Sequence, residues 1–202
     1  MDNHTVTDIA ALEEIYGKPG KASLIKVADH QTPLYRKWIM ASRFCVVSTV
    51  GPNGTDGSPR GDDGPVVQEL DSKTLLLPDW RGNNRMDTLR NIVQDGRISL
   101  MFFVPGSNNV VRVNGTAIVS LDPDLLGRFD QRGNHPRSVA VIAVAEVYSQ
   151  CARALLRAGI WKADDESANL PTVGQMLAEQ EAGFDGVEYD ASWGARAEKT
   201  MW

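Results

Sequence analysis

The chain has 202 residues, of which 42% are hydrophobic and 23% charged, and its formal net charge is −5. This length is typical of one domain or at most two, and it permits a core without disulfides or a structural metal. The apolar fraction excludes wholesale disorder, and 26 acidic against 21 basic residues disfavour non-specific nucleic-acid binding. No apolar run is long enough to cross a membrane and no signal-like leader opens the chain, so a cytoplasmic location is the default expectation.

The N-terminal quarter of the chain predicts two helices followed by a β-hairpin. Apolar residues recur at helical spacing over residues 9–16, and Gly17 ends the pattern. A second helix-like stretch surrounds Trp38. Residues 44–50 are rich in β-branched side chains, and residues 51–54 (GPNG) contain the Asn-Gly pair that is typical of a hairpin turn.

The middle of the chain predicts further strands over residues 74–77, 98–104, 110–120 and 139–148, joined by segments rich in Gly, Pro and Asn. Strands at this spacing, joined mostly by turns, favour an antiparallel barrel over a parallel βαβ sheet. One helix interrupts them, and we expect Asn84 to be its N-terminal cap.

The C-terminal part predicts helices over residues 151–158 and 172–182. Beyond them we expect a Gly- and Ala-rich tail that is poorly ordered or docked on a partner subunit. The chain is accordingly expected to divide into a mainly β domain with N-terminal helices, residues 1–163, and a helical extension or tail, residues 164–202.

Two arginine-bearing segments are the candidate site for an anion, residues 58–62 (SPRGD) and 78–85 (PDWRGNNR). If Asn84 caps a helix, the adjacent turn offers backbone N–H groups to a phosphate, which a guanidinium can bind bidentately. A strand–turn–strand path can return Arg85 close to Arg60. From spacing alone, surface turns remain the alternative, since neither segment is a recognised phosphate loop.

Other chemistry-bearing residues carry weaker predictions. The three histidines, His4, His30 and His135, are far apart in sequence, and Cys45 and Cys151 lack the spacing of metal ligands, so no metal site is predicted. We expect Cys151 to be a buried structural cysteine. No side chain is assigned a catalytic role.

Taken together in order, several segments resemble the pyridoxamine 5′-phosphate oxidase-related FMN-binding proteins, more closely a bacterial subgroup of them. The resemblance covers about residues 5 to 163. It is carried by Trp161 and by residues 58–62, 77–91, 102–106, 111–115 and 151–154.

This resemblance implies a mainly β protein with helical decorations, a six-stranded antiparallel split β-barrel. It also implies a homodimer with two FMN sites at the subunit interface. The activity expected is that of an FMN-dependent oxidoreductase on a small organic substrate, with NADH or NADPH as candidate electron donors. A non-catalytic flavin carrier or sensor, or the same fold with deazaflavin or haem, is the alternative.

The resemblance further implies which residues contact the cofactor. Arg60, Asn84 and Arg85 are expected at the phosphate or ribityl chain, Gly61 and Asp62 at the pyrimidine edge, and Asp79 near the ribityl chain. Arg112 and Asn114 are expected from the other subunit. Trp161 either stacks on the flavin or fills the core. The full expected set is Ser58, Arg60, Gly61, Asp62, Asp79, Asn83, Asn84, Arg85, Arg112, Asn114 and Trp161.

One departure from the family bears on the substrate. Pyridoxamine phosphate oxidases proper end in an Arg-Leu-x-Pro segment whose arginine helps to bind substrate. This chain instead ends in residues 196–202 (RAEKTMW). Oxidation of pyridoxamine phosphate is therefore not the expected activity.

Overall fold

A computed structural model describes residues 4–202 of the chain, and its elements follow the predicted order. The helices are α1 Ile9–Tyr16, α2 Lys21–Ile25, α3 Pro33–Ala41, α4 Asp87–Gln94, α5 Pro123–Leu126, α6 Arg153–Ala158, α7 Val173–Gln180 and α8 Gly186–Thr200. The strands are β1 Phe44–Gly51, β2 Gly54–Gly61, β3 Gln68–Asp71, β4 Thr74–Asp79, β5 Arg97–Phe103, β6 Val110–Ser120 and β7 Ser138–Gln150.

The predicted boundaries of the first helix have clear local causes. The Asp8 side chain accepts a hydrogen bond from the backbone N–H of Ala11 at 2.9 Å, which satisfies one free donor of the first turn. Gly17 ends the helix with a φ of 68°, a left-handed value that glycine adopts without a steric penalty. The predicted helix over residues 9–16 is therefore confirmed.

All seven strands form one antiparallel sheet in the order β2-β1-β5-β6-β7-β4-β3. The predicted count of six strands was wrong, because β3 is a short strand of sequence QELD whose acidic residues give no strand pattern. The two edge strands, β2 and β3, are not hydrogen-bonded to each other, so the sheet does not close. An antiparallel, mainly β architecture with helices is confirmed.

The larger core cluster lies on one face of this sheet and includes Val47, Leu100, Phe102, Val113 and Ile142, all with 0% exposure. A smaller cluster of Leu76, Phe129 and Val139 is separate from it. Burial alternates along β5, as expected for a strand with one covered face.

Helix α4 contacts the edge of this core through Ile92, and the Asn91 side chain donates a hydrogen bond to Thr49 Oγ1 at 3.1 Å. The helix that interrupts the strands thus leaves its N-terminus at the end of the sheet where β2 and β4 finish.

The C-terminal residues form a helical hairpin rather than a tail. The Asp190 side chain of α8 accepts a hydrogen bond from the backbone N–H of Gly174 in α7 at 2.8 Å. Of the two expected alternatives, a helical extension or a tail, the helical one describes residues 186–200, because Asp185 caps a helix that Ala, Glu, Arg and Lys continue for 15 residues. Docking of this part on a partner subunit stays a prediction. Between residues 4 and 202, no helix is both long and apolar enough to span a membrane.

Candidate functional site

A cleft of about 720 Å³ opens where β2, β4 and β6 end. Its walls include residues 59–63 at the end of β2 and just after it, and residues 77–86 with Thr88 and Leu89. Val119 near the end of β6 and Leu121 just beyond it add to these walls. Arg137 and Ser138 at the start of β7, with Met201 and Trp202, complete it. The volume is within the usual range of about 300–1,000 Å³ for small-molecule sites.

The cleft is locally cationic within an acidic protein. Four arginines and three aspartates line it, a formal side-chain charge of +1 that leaves out Asp87, the ion-pair partner of Arg85, whereas the whole chain carries −5. Its arginines are Arg60, Arg81, Arg85 and Arg137, and its aspartates are Asp62, Asp63 and Asp79. Both arginine-bearing segments that were predicted to bind an anion therefore line the same concave surface.

Arg60 and Asp79 face each other at the ends of β2 and β4. The Arg60 Nη2 atom lies 3.8 Å from Asp79 Oδ1, and Nη1 donates a hydrogen bond to Ser58 Oγ at 2.9 Å. Burial raises the pKa of the Asp79 carboxyl, and the positive charges of Arg60 and Arg137 oppose that rise only in part. The Arg60 guanidinium is thus held in place by two side chains at the cleft wall.

The segment before α4 differs from the prediction that Asn84 caps the helix. The helix starts at Asp87, and the cap position is Met86, whose side chain makes no capping hydrogen bond. Asn84 instead has a φ of 60°, a left-handed conformation that asparagine tolerates better than most residues. The expected cap was wrong because the turn at Asn84 continues for two more residues before the helix begins.

Arg85 and Arg137 have different partners in this segment. The Arg85 guanidinium pairs with Asp87 at 2.9 Å and its side chain is 79% exposed. The Arg85 backbone N–H donates a hydrogen bond to Asn83 Oδ1 at 3.0 Å. This N–H, which was predicted to be available to a phosphate, is therefore already hydrogen-bonded. Arg137 Nη1 donates to Asn84 Oδ1 at 2.9 Å.

Asp62 anchors the aromatic wall of the cleft. Its two carboxylate oxygens accept hydrogen bonds from Trp80 Nε1 at 2.9 Å and from Gln131 Nε2 at 2.6 Å. Phe129 packs edge-on against Trp80, with ring centroids 6.5 Å apart. These contacts fix the orientation of the Trp80 indole, a role for Asp62 that differs from the expected contact with a flavin edge.

Seven of the eleven expected contact residues line the one cleft: Arg60, Gly61, Asp62, Asp79, Asn83, Asn84 and Arg85. Ser58 does not line it but holds Arg60. The residues Arg112, Asn114 and Trp161 lie elsewhere in the chain.

Arg112 and Val119, which does line the cleft, are seven residues apart on β6, or about 23 Å at the usual rise of a strand. Asn114 bonds to Ser99 and Glu146 on the neighbouring strands. Trp161 Nε1 donates to the Ser107 carbonyl at 2.7 Å, so its indole is attached to the loop between β5 and β6.

The cleft residues that the sequence prediction missed include Arg137, Trp80 and Trp202. The position of Arg137 could have been inferred from strand pairing. Arg137 directly precedes β7, and its neighbour Ser138 pairs with Asp79 at the end of β4, which brings Arg137 to the cleft. Trp80 lies within the arginine-bearing segment 78–85, but the sequence gave it no predicted role. Nothing local to Trp202 indicated that it would reach a site formed some 120 residues earlier in the chain.

The two cysteines are placed differently from each other. Cys45 is fully buried in the core, where burial raises the pKa of its thiol to about 12. Cys151 is exposed and its Sγ accepts the Arg153 backbone N–H at 3.5 Å, so the expectation of a buried residue was wrong. It stands after the end of β7, where the strand has left the core.

Comparison with known proteins gives the family. The model of the family described as pyridoxamine 5′-phosphate oxidase matches residues 31–151, which is 121 of the 202 residues. The chain therefore belongs to the pyridoxamine 5′-phosphate oxidase family, as its segments indicated. No curated protein matches the chain.

Solved structures are similar to the chain at low identity. A histidine-to-alanine variant of HupZ from Group A Streptococcus is 21% identical with a TM-score of 0.49, over 59% of this chain and 98% of that one. General stress protein 26 from Bacillus anthracis strain Sterne is 15% identical with a TM-score of 0.44, over 56% and 88%. A structure called F420 reductase is 16% identical with a TM-score of 0.41, over 57% and 94%.

Proposed function

We propose that this protein binds FMN in the cleft described above and acts as an FMN-dependent oxidoreductase on a small organic substrate. The observation that carries the proposal is the cluster of four arginines on one concave surface of a chain with net charge −5. An anionic ligand with a bulky apolar part suits this surface, since one part of the cleft wall is cationic and another part is apolar.

The phosphate of FMN fits the arginine-rich side. Arg60, Arg85 and Arg137 come from three separate segments and all line the cleft. Guanidinium groups bind phosphate bidentately, and such charge-assisted hydrogen bonds are about twice as strong as neutral ones. The sequence predicted that backbone N–H groups at the N-terminus of α4 bind the phosphate. Because the first turn of α4 contains the Asp87 carboxylate, Arg137 takes over part of this role.

The flavin ring fits the apolar side. Val66, Leu77, Pro78, Trp80 and Leu89 provide a wall that is largely free of charge. Small-molecule sites of this kind combine an apolar lining with a few polar groups that fix orientation. The bound flavin would supply the electron- or hydride-accepting chemistry, while the protein residues bind it, orient it and exclude water.

A haem in this cleft has less support than a flavin. Among the described residues that line it there is no His, Cys or Tyr, and the methionines present, Met86 and Met201, belong to a type that ligates haem iron together with a His. A deazaflavin shares the ring and phosphate chemistry of FMN, so the choice between the two flavins rests on experiment.

We also propose that two copies of the chain share each site. Arg112, Asn114 and Trp161 lie away from the cleft of their own chain, so they can contact a flavin only from a second copy. A symmetric dimer with the same patch on both subunits places two such sites on one interface.

Purification with its native cofactor tests the proposed function. We expect a yellow protein that releases FMN on denaturation, identified by chromatography against FMN, riboflavin and deazaflavin standards. Stopped-flow mixing with NADH or NADPH, followed by reoxidation, should show reduction and turnover. Binding without turnover would leave a flavin carrier or sensor, and failure to bind any flavin would refute the proposal.

A further inference from the structure

The C-terminal arm, residues 164–202, is attached to the sheet in an unusual way. Its helices α7 and α8 pack on each other, but within residues 4–202 no hydrogen bond or ion pair joins the arm to the rest of the chain. The ring contact between Trp202 and Trp80 spans the gap between them. The arm therefore meets the sheet through apolar side chains at the cleft.

The Trp202 indole stands against a fixed partner. Its ring centroid is 5.5 Å from that of Trp80, and the two planes are 84° apart, an edge-to-face arrangement that aromatic rings prefer. Trp80 is held by Asp62 and by Phe129, so its position does not depend on the arm. Both Trp202 and its neighbour Met201 line the cleft.

The position of Trp202 within the cleft determines what it can contact. Arg60 and Arg137 line the cleft from β2 and from the residue before β7, whereas Trp202 is in contact with Trp80. An indole offers a planar apolar face to a planar ring and has no positive charge for a phosphate. A ligand lying along the Trp80 wall therefore presents its ring, and not its phosphate, to Trp202.

We propose that Trp202 is a binding residue for the ring of the bound flavin, delivered by the C-terminal arm as a removable wall of the cleft. This inference rests on the proposed function, because it names a contact within the same site. The apolar attachment suits this role, because the arm can leave the cleft and return without breaking hydrogen bonds to the sheet. Trp202 should act mainly by slowing dissociation of the flavin, since a cover lengthens residence time.

Binding of two ligands by the full chain tests this inference. FMN and riboflavin share the ring, but riboflavin lacks the phosphate. Trp202→Ala should weaken both by the same factor, roughly ten-fold for the loss of one aromatic stacking contact, and the change should appear in the dissociation rate. Trp193→Ala is the matched control, because Trp193 lies on α8 in the same C-terminal arm, is 58% exposed and does not line the cleft.

The outcomes separate this inference from the proposed function. If the wild-type protein binds neither ligand, the proposed function fails and the inference falls with it. If the wild type binds FMN and Trp202→Ala binds both ligands unchanged, only the role of Trp202 is refuted. Tighter binding by Trp202→Ala would also refute it, since Trp202 would then occupy the place of the ligand.

The fluorescence of bound riboflavin provides a second readout. An indole in contact with the flavin ring quenches its emission, and Trp80 would quench as well, so the comparison is made in a Trp80→Phe background. Emission per bound flavin should rise when Trp202→Ala is added to Trp80→Phe and stay unchanged when Trp193→Ala is added. Equal emission with and without Trp202→Ala in that background would place the Trp202 indole away from the ring.

Discussion

The cleft and the outer face of β6 contain the same kinds of side chain in different surroundings. The cleft has Arg60, Asn84 and Trp80, while the β6 face has Arg112, Asn114 and Tyr148 with comparable chemistry. On the β6 face these groups pair with one another across neighbouring strands. In the cleft they stand at strand ends, where the chain leaves the sheet and a concave space remains.

The β6 face shows how a flat sheet uses its polar residues. Asn114 accepts a hydrogen bond from Ser99 Oγ at 2.8 Å and donates one to Glu146 at 3.1 Å, which links three strands. The Arg112 guanidinium carbon lies 5.4 Å from the centre of the Tyr148 ring, a cation–π contact. Each side chain meets its cross-strand neighbour, so substitutions in the middle of β6 should affect stability first.

Because the two regions differ in this way, we expect substitutions in them to change different quantities, the free energy of unfolding and the ligand affinity. Substitution of Gly115 in β6 should change the free energy of unfolding, and substitution of the cleft arginines should change ligand affinity with little effect on folding. The predictions below test that separation, beginning with the largest expected effect.

Gly115→Ala should destabilise the fold by about 3 kcal/mol, the upper part of the usual range for overpacking. A Cβ atom at Gly115 would lie 2.0 Å from the Ala143 carbonyl oxygen, and that backbone belongs to the adjacent strand β7. Urea unfolding measures the effect. Gly57→Ala in β2 is the control, because a Cβ there has nothing within 4 Å, and its stability should be unchanged or slightly higher. Equal stability of the two variants would contradict the close approach.

Arg137→Ala should weaken FMN binding by about 1.5–3 kcal/mol, the usual strength of a hydrogen bond to a charged group, and leave the unfolding midpoint nearly unchanged. Arg137 lines the cleft and is oriented by Asn84. Isothermal titration measures the affinity. Arg153→Ala serves as control, since this exposed arginine on α6 lies outside the cleft. The same loss in both variants would indicate a general charge effect instead of a contact.

Subunit mixing tests whether a second copy brings Arg112 to the cleft. Arg60→Ala and Arg112→Ala should each weaken FMN binding when prepared alone. In co-folded equimolar mixtures, random dimers should contain about one quarter of sites with both native arginines, and these should bind with native affinity. Normal binding by Arg112→Ala alone would confine the site to one chain, and the β6 face would then serve stability only.

The smallest expected effect is a pH dependence of stability from Asp79. Burial raises the pKa of this carboxyl above its ordinary value of 3.8, so the folded protein binds the proton more tightly than the unfolded chain does. The resulting stabilisation is complete below the unfolded pKa and is lost as pH rises through the folded pKa.

Asp79→Asn removes this titration and retains the size of the side chain. Between acidic and neutral pH, the unfolding free energy of the wild type should therefore fall relative to that of Asp79→Asn. Parallel pH profiles for the two proteins would show that Asp79 contributes nothing to the dependence.

Much of the fold could be predicted from local pattern, and the exceptions have physical causes. The strand over residues 110–120 was predicted with the bounds that the structure gives, because β-branched residues are frequent there. Strand β3 was not predicted as an element of the sheet, since its four residues acquire their conformation by pairing with β4. The cap at Asn84 failed because the residue type suits both a cap and a left-handed turn, and only the chain path decides between them.

The site shows the same limit at longer range. The two arginine segments could be found because each has a local composition typical of binding loops. Arg137 and Trp202 required strand pairing and the position of α8, which no local signal contains. Arg112, Asn114 and Trp161 were predicted as cofactor contacts from the family resemblance alone. Within one chain they do not line the cleft.

The most direct test of the account compares FMN and riboflavin binding by the wild type and Arg60→Ala. If the arginine cluster binds the phosphate, the wild type should prefer FMN strongly, and Arg60→Ala should lose about ten-fold or more for FMN while its riboflavin affinity stays within about two-fold. Equal losses for both ligands, or a wild type without preference for FMN, would contradict the claim that this cleft is a flavin phosphate site.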